Sequence, residues 1–196
     1  MFAGCNRGKE SIKIDLKTEA GQAVIRDMAS QVDVVIHNFR PGTMESLNLG
    51  CDALRTINPR LIYMAISGFG TEGPLRRAPA YDPIIQAHSG MAATQGGDDS
   101  PAFIRSLLCD KITAYTACQA VTSALFARER SGEGQLIDLS MLDSGLFFMF
   151  PDGFQNHALL DEDAIPGGML IDILYDLTLT KDGGITVAAA NQEMQG

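Results

Sequence analysis

Asp143 stands at the start of a predicted helix, a place where a carboxylate can do chemistry. A glycine turn at 132–134 leads into an alternating strand over 135–139, and the apolar residues 142–150 predict a buried helix. Ser140 is a candidate cap for that helix, so half of a capping box is the simplest interpretation of Asp143. Alternatively, free N–H groups and the helix dipole keep the carboxylate ionised, and an ionised carboxylate is a nucleophile.

Asp110 and Lys111 begin a second predicted helix, over 109–130, whose other residues are mostly Ala, Thr and apolar ones. The long apolar stretch predicts a central, buried helix. A charge that complements the helix dipole explains Asp110 as well as a chemical role does. Spacing alone therefore leaves the role of both first-turn aspartates open.

The composition is that of an acidic globular protein. With 196 residues, 45% of them hydrophobic, the chain can bury a sizeable core. A formal net charge of −9 argues against a general nucleic-acid or anionic-membrane surface, although it leaves room for a local basic pocket that binds a phosphate ligand. We find no signal peptide and no apolar run of membrane-spanning length, so we expect a soluble cytoplasmic protein.

Neither the cysteines nor the histidines form a metal-binding or hydrolytic pattern. They are Cys5, Cys51, Cys109, Cys118, His37, His88 and His157. The cysteines lack metal-ligand spacing and predict reduced, mostly buried thiols. The histidines have no G-x-S-x-G partner, so each is predicted to be structural, and we expect no metal site.

The chain as far as residue 67 alternates predicted strands and helices, which indicates an α/β fold. The elements are a strand over 11–16 with one face buried, a helix over 18–30 with Val24, Ile25 and Met28 facing inward, an interior strand over 32–36, short helices over 43–47 and 51–57, and a strand over 60–67. This order predicts a parallel sheet with helices on its faces. Ligands of such sheets bind at the carboxyl ends of the strands, here the loops 38–42 and 67–73.

Residues 68–73 match the pattern G-x-G-x-x-G after a predicted strand, which is typical of dinucleotide binding. Such a motif needs a helix that starts inside it, and Pro74 and Pro79 interrupt the segment that follows. We therefore expect no nicotinamide cofactor at this loop.

Beyond this loop the sequence predicts a helix over 81–93 and a surface connection over 155–168. Strands over 175–180 and 185–190 are predicted to form a hairpin. A hairpin after a parallel sheet indicates the start of a smaller second domain.

Nine motifs occur in order along nearly the whole chain. They are Asn6–Ile12, Ile14–Lys17, Asn38–Gly42, Asn58–Tyr63, Ile66–Gly70, Tyr81–Asp82, Asp110–Lys111, Gly132–Gln135 and Met141–Asp143. Together they resemble the family III CoA-transferases of the CaiB/BaiF type, a superfamily shared with the α-methylacyl-CoA racemases. Members of this family carry the same glycine-rich loop without a nicotinamide cofactor.

The resemblance implies that Asp143 attacks an acyl-CoA thioester to form a mixed anhydride and then an aspartyl-CoA thioester, from which a second carboxylic acid takes the CoA. Such chemistry needs an ionised carboxylate in a site that excludes water. The racemase branch instead moves an α-proton with a His and an Asp. Tyr81 stands at the His position and Asp110 at the Asp position, so both are candidate proton-transfer or supporting residues and transfer is favoured over racemisation.

The resemblance also implies a set of CoA contacts. They are Ile14, Asp15, Leu16, Lys17, Asn38, Phe39, Arg40, Tyr81, Asp82, Asp110 and Lys111. Arg40 is suited to this role, because a guanidinium at a strand end can bind a phosphate. Coenzyme A is expected as a substrate, with no tightly bound cofactor.

By the same resemblance, residues 1–170 correspond to part of a large Rossmann-like CoA-binding domain and residues 171–196 to the beginning of the small domain. The implied partners are an acyl-CoA and a small carboxylic acid, and the full-length form is expected to be an interlocked homodimer. We expect the 196-residue chain to be a weakly active or inactive piece of such an enzyme. A catalytically inactive CoA-binding fragment is the alternative.

Overall fold

The computed structural model describes residues 2–97, 99–153, 160 and 177–186. The chain divides into one compact unit of Met1–Arg77 with Ala117–Leu139 and another of Ala78–Thr116 with Ser140–Gly196. The described elements are α1 (Phe2–Cys5), α2 (Glu19–Ala29), β1 (Val34–His37), α3 (Thr43–Ser46), α4 (Cys51–Ile57), β2 (Ile62–Ser67), α5 (Asp82–His88), α6 (Met91–Gly96), α7 (Leu108–Ser131), β3 (Leu136–Ser140), α8 (Met141–Gly153), β4 (Leu177–Leu179) and β5 (Gly184–Thr186).

A three-stranded sheet in the order β1-β2-β3 is the centre of the first unit. β1 and β2 are parallel, with Val34 opposite Ile62 and His37 opposite Ala65. The predicted α/β fold with a parallel sheet and flanking helices is confirmed. Among the described residues β1 is an edge strand and Ile36 is exposed, so the prediction of an interior strand there is wrong. β2 holds the interior place because it has a bonded neighbour on each side.

The core of the first unit forms between β2 and the helices. Leu61 and Tyr63 are fully buried there and pack with Leu54 of α4 and Ala29 of α2. Burial of these apolar side chains is the main force that holds the helices to the sheet. Ile25 packs against this core as predicted.

In α2 the start of the helix agrees with the prediction, whereas the burial of two of its residues does not. Thr18 caps the helix, since its Oγ1 accepts the N–H of Gly21 at 3.1 Å. Val24 and Met28, predicted to face inward, are each 41% exposed. The neighbours of α2 therefore cover a narrower stripe of the helix than its apolar residues define.

The predicted strand over 11–16 is wrong, because residues 11–15 form no regular element. A turn follows in which the Asp15 carboxylate accepts the backbone N–H of Lys17 at 3.0 Å. The Asp15 carbonyl accepts the hydroxyl of Thr18 at 2.9 Å. Such local side-chain bonds give the backbone an alternative to a strand ladder.

In the second unit α5, α6 and α8 pack on one another. The predicted helix over 81–93 is two helices, divided at Ser89 and Gly90, because Gly90 adopts a left-handed conformation with φ of 81°. Gly145 of α8 packs against this break, where a Cβ on it would make an ordinary van der Waals contact with the Cβ of Ser89 at 3.5 Å.

The predicted burial of the two apolar helices is wrong for a large part of each. α8 buries Ser144, Gly145 and Met149, which lie on one face. Phe147 is 79% exposed on another face, with Phe148 and Phe150 also exposed, because α5 and α6 contact only one side of the helix. Along α7, Tyr115 and Phe126 are exposed in the same way.

β4 and β5 pair antiparallel, with Leu177 opposite Thr186, which confirms the core of the predicted hairpin. The predicted connection over 155–168 lies outside the described residues apart from exposed Leu160, and the start of a second domain stays a prediction. Within the ranges that the structure describes, every helix is too short or too polar to cross a membrane.

Candidate functional site

Asp82 and Asp110 are brought together in the second unit. Asp82 is the first residue of α5 and is 3% exposed. Its Oδ2 accepts the backbone N–H of Asp110 at 3.0 Å, so it satisfies one of the N–H groups that the first turn of α7 leaves unpaired. Its Oδ1 accepts a bond from Gln86 at 2.6 Å. With both oxygens bonded inside the protein, the Asp82 side chain is a support for this site.

The Asp110 carboxyl has an unusual electrostatic environment. Burial raises its pKa above the ordinary value, and repulsion from the neighbouring Asp82 carboxylate raises the pKa further. Part of the Asp110 side chain remains open to solvent, as a group that must meet a substrate requires. An accessible carboxyl group with a perturbed pKa at a helix start is typical of functional sites.

Tyr81 and Lys111 lie beside these aspartates in sequence and are both exposed. Tyr81 precedes α5, and its carbonyl accepts the N–H groups of Ile84 and Ile85 at the start of that helix. The Lys111 ammonium donates to the hydroxyl of Ser106 at 2.8 Å. The second unit thus presents a phenol, a carboxylate and an ammonium on adjacent segments.

Asp143 lies in the first turn of α8, as predicted. Its backbone N–H donates to Oγ of Ser140 at 3.1 Å, which confirms Ser140 as the cap. The Ser144 hydroxyl donates to the Ser140 carbonyl at 2.8 Å and ties the same turn from inside. Ser140 and Ser144 are buried, whereas the Asp143 side chain is exposed. The catalytic role implied for Asp143 stays a prediction.

The predicted contact residues Ile14, Asp15, Leu16 and Lys17 lie in the first unit, in the turn before α2. The Leu16 carbonyl accepts the side-chain amide of Gln22 at 3.1 Å. A Cβ at Gly21 would collide with the Asp15 carbonyl, so only glycine allows α2 to approach this turn so closely. The turn is therefore held by the helix that follows it.

Asn38, Phe39 and Arg40 follow β1 directly, at the carboxyl end of a parallel strand, and all three are exposed. The Phe39 N–H donates to Nδ1 of His37 at 3.3 Å, and the His37 ring stands edge-on to Tyr63 with ring centres 5.3 Å apart. Burial lowers the pKa of His37, partly offset by Glu45. A neutral His37 ring is the form that can accept the Phe39 bond.

No helix begins within residues 68–73, which form bends after β2, and the next helix is α5. The Gly70 N–H donates to Oγ of Ser67 at 3.0 Å, and Thr71 donates to the Asp138 carboxylate of β3 at 2.6 Å. The loop thus lacks the helix N-terminus that a dinucleotide pyrophosphate requires.

The remaining predictions concern cysteines, histidines and metals. The prediction of mostly buried cysteines is wrong, because Cys5 and Cys118 are exposed and only Cys109 is buried. His88 lies in the last turn of α5, and His157 lies outside the described residues. In the part of the chain that the structure describes, no three His, Cys, Asp or Glu side chains are grouped as metal ligands.

The sequence does not indicate the pairing of Asp82 with Asp110 or the hydrogen bonds of Gln86. These residues are distant in sequence or have no charge, so no motif connects them. The predicted contact segments 14–17 and 38–40 belong to the first unit, whereas Tyr81, Asp82, Asp110, Lys111 and Asp143 belong to the second.

Asp143 is thus an exposed carboxylate in a helical turn that Ser140 fixes. The sequence profile of CoA-transferase family III matches residues 1–195. The chain is 43% identical over 164 residues to an acetyl-CoA:oxalate CoA-transferase of Acetobacter aceti, covering 81% of this chain and 40% of that protein. It is 42% identical over 143 residues to a succinate–glutarate CoA-transferase of Agrobacterium fabrum, covering 72% of this chain and 36% of that one.

A crystal structure of a CaiB/BaiF family protein from Brucella suis superposes with a TM-score of 0.80 at 33% identity, covering 96% of this chain and 50% of that chain. The chain belongs to CoA-transferase family III. It spans half or less of the length of these relatives.

Proposed function

We propose that the protein carrying this sequence transfers CoA from an acyl-CoA thioester to a second carboxylic acid through a covalent aspartyl intermediate at Asp143. Support for CoA transfer comes from the family and from relatives named for transfer between acetyl-CoA and oxalate and between succinate and glutarate. Oxalate, succinate and glutarate are all small dicarboxylates. The substrates proposed here are therefore an acyl-CoA and a small carboxylic acid.

The observation that carries the choice of Asp143 is an exposed carboxylate in the first turn of α8. A carboxylate is among the side chains that act as nucleophiles in covalent catalysis, and an exposed position lets it meet a thioester. The buried Ser140 and Ser144 fix the backbone of the turn, so the nucleophile starts from a rigid support.

The reaction balances without any further reagent. The Asp143 carboxylate attacks the thioester carbonyl, a C–O bond forms, the C–S bond breaks, and CoA leaves as its thiolate. The thiolate attacks the aspartyl carbonyl of the mixed anhydride and releases the first acid, which leaves an aspartyl-CoA thioester. The second carboxylate then repeats these two steps in reverse order and departs as its CoA thioester.

Asp110 is proposed as the supporting group of the same reaction. Its raised pKa means that it holds a proton at a higher pH than an ordinary aspartate does. In its protonated form this carboxyl would donate a hydrogen bond, and a donor beside a substrate oxygen stabilises the charge that develops there. Asp110→Asn keeps a donor and is expected to retain most of the rate, whereas Asp110→Ala is expected to lose about tenfold or more.

Hydroxylamine trapping distinguishes the two aspartates, because trypsin separates them. Cleavage after Arg105 and Lys111 places Asp110 in the peptide 106–111, whereas Asp143 falls in the peptide 131–181. The purified protein is incubated with acetyl-CoA or succinyl-CoA and hydroxylamine, digested and analysed by mass spectrometry. We expect a hydroxamate in peptide 131–181, located at Asp143 by fragmentation.

The matched variants are Asp143→Asn and Asp110→Asn, each of which replaces one first-turn carboxyl group with an amide of nearly the same shape. We expect Asp143→Asn to abolish the trapped adduct and Asp110→Asn to retain it. An adduct in peptide 106–111 would instead make Asp110 the nucleophile. Binding of acyl-CoA without any adduct would contradict covalent transfer and leave the inactive CoA-binding fragment or the racemase, which α-proton exchange in deuterium oxide detects.

The contacts of CoA with residues 14–17, 38–40, 81–82 and 110–111 remain predictions, and Arg40 is the first of them to test. Arg40 is exposed at the end of β1, and no side-chain bond fixes its guanidinium in the described structure. We also propose that the full-length protein is a homodimer in the cytoplasm, that it has no tightly bound cofactor and that its domains divide at residue 170.

A further inference from the structure

Gln86 is an uncharged polar side chain in the interior of the second unit, only 1% exposed. Its Nε2 donates to Oδ1 of Asp82 at 2.6 Å and to the carbonyls of Ile104 and Ser106 at 3.1 and 3.3 Å. Its Oε1 accepts the N–H of Ile104 at 2.9 Å. The buried amide therefore uses both its donor and its acceptor groups.

These bonds connect α5 to the segment before α7 and to α7 itself. Gln86 fixes the backbone at Ile104 and Ser106, just ahead of the helix start at Leu108. It also fixes the carboxylate of Asp82, whose other oxygen holds the N–H of Asp110. One amide thus restrains both the approach to the helix and its first turn.

We propose that Gln86 is a positioning residue for Asp110, acting through Asp82 and the segment 104–106. This inference rests on the proposed function, in which Asp110 supports acyl transfer to Asp143. An amide is required because its nitrogen donates to the Asp82 carboxylate and to the carbonyls of Ile104 and Ser106. Its oxygen accepts the Ile104 N–H. A carboxylate of the same shape would lose every donation and place a second negative charge against Asp82.

The substitution Gln86→Glu tests this role, because protonated glutamic acid can donate one hydrogen to Asp82 and still accept from Ile104. We expect formation of the Asp143 adduct at pH 8 to be about tenfold slower than in the wild type, since a small misplacement of a group at the reacting centre is costly. The ratio of variant to wild-type rate should rise as the pH is lowered. Taking the ratio removes the pH dependence of every step that the substitution leaves unchanged.

Other titratable groups lie on the elements that this network joins or packs against. They are Asp82 and His88 on α5, Arg105 in the connecting segment, Cys109, Asp110 and Lys111 in the first turn of α7, and Asp143 in the first turn of α8, whereas α6 has none. The matched control is Gln119→Glu, which adds the same charge to an exposed position of α7. We expect this control to react at the wild-type rate at every pH.

A double-mutant cycle tests whether the effect passes through Asp110. In an Asp110→Ala background the supporting carboxyl is already absent, so Gln86→Glu should slow adduct formation by less than about threefold. An equal tenfold loss in both backgrounds would overturn the proposal, because Gln86 would then act on the reaction by another route.

The measurement follows the trapped adduct in time and separates its rate from its amplitude. A purely structural defect lowers the amplitude through the fraction of folded protein, whereas misplacement of Asp110 lowers the rate per folded site at saturating acyl-CoA. A Gln86→Glu rate within a factor of about three of the wild type, or a loss confined to amplitude, would overturn the proposal.

A second readout applies where the wild type forms no adduct on Asp143, a result that would refute the proposed function. The hydrogen exchange rates of the backbone amides of residues 106–111 in the folded protein then report how firmly the start of α7 is held. Faster exchange in Gln86→Glu than in Gln119→Glu supports the role of Gln86 as an anchor of this turn, and equal exchange refutes it.

Discussion

Gly134 lies where the backbone of the turn before β3 meets the backbone before β2, and replacing it with alanine provides a sharp test of the fold. A Cβ at this position would collide with the Leu61 carbonyl and lie 2.6 Å from the carbonyl carbon of Arg60. Backbone atoms cannot move aside as a flexible side chain can. The Gly134→Ala chain must therefore shift β3 away from β2.

Three hydrogen bonds depend on this close approach. The Gly134 N–H donates to Pro59 at 2.9 Å, its carbonyl accepts the Arg55 guanidinium at 2.8 Å, and the Tyr63 N–H donates to Gln135 at 2.9 Å. At about 1 kcal/mol for each bond, their loss costs about 3 kcal/mol. Forced overpacking costs about 1–3 kcal/mol, and a stiffer unfolded chain returns about 0.4–1 kcal/mol. Because relaxation preserves some of the bonds, we expect a net loss of about 2–4 kcal/mol.

Gly132→Ala is the matched control, two residues away in the same turn. Gly132 has a φ of 78°, and a Cβ added to it would meet no atom within 4 Å, so alanine there meets backbone strain without a collision. That strain costs about 1–2 kcal/mol. Urea unfolding followed by circular dichroism measures the free energy of unfolding of both variants.

Hydrogen exchange of the Tyr63 amide adds a local test, because only Gly134→Ala should expose this β2 group. A Gly134→Ala protein as stable as Gly132→Ala, with the Tyr63 amide still protected, would refute the reasoning. It would mean that the strands accommodate the extra carbon without energetic cost.

Three further substitutions have expected outcomes. Burial lowers the pKa of His37, so folding favours its neutral form. The free energy of unfolding, measured by urea titration, should therefore fall as the pH drops below about 6.5. The substitution His37→Gln should make this pH dependence weaker. Equal pH slopes in both proteins would contradict this. Tyr63→Phe leaves the buried Leu49 carbonyl without its 3.1 Å bond and should cost about 1–2 kcal/mol in urea unfolding, whereas no loss would show that the bond is not stabilising. Thr18→Ala removes the cap of α2 and should cost about 1 kcal/mol by the same assay, and Thr18→Ser, which keeps the hydroxyl, should restore most of it.

Local signals predicted most of the fold correctly because their causes are local. The start of the helix predicted over 18–30, the helix over 51–57 and the cap at Ser140 each depend on neighbours a few residues away. The strand predicted over 11–16 failed because alternation indicates a half-buried surface, whereas strand formation needs a bonded neighbour. The prediction that Phe147 is buried failed for a related reason, since hydrophobicity does not tell which face of a helix its neighbours cover.

The sequence predicts which residue types belong to the candidate site but not which of them contact one another. Asp110 and Asp143 look alike in sequence, because each is an acid in the first turn of an apolar helix. What separates them is the buried Asp82 beside Asp110, a contact across a long stretch of chain. Gln86 carries no charge and matches no motif, so its role can be inferred only from its hydrogen bonds in the structure.

The contrast between a buried and an exposed tyrosine gives the protein an optical signal. The sequence has no tryptophan, so tyrosine dominates its ultraviolet emission. Tyr63 is 1% exposed and shielded from dissolved quenchers, whereas Tyr81 is 71% exposed beside the candidate site. Emission lost on adding acyl-CoA, and unchanged in Tyr81→Phe, would therefore track occupancy of that site in real time without any attached dye.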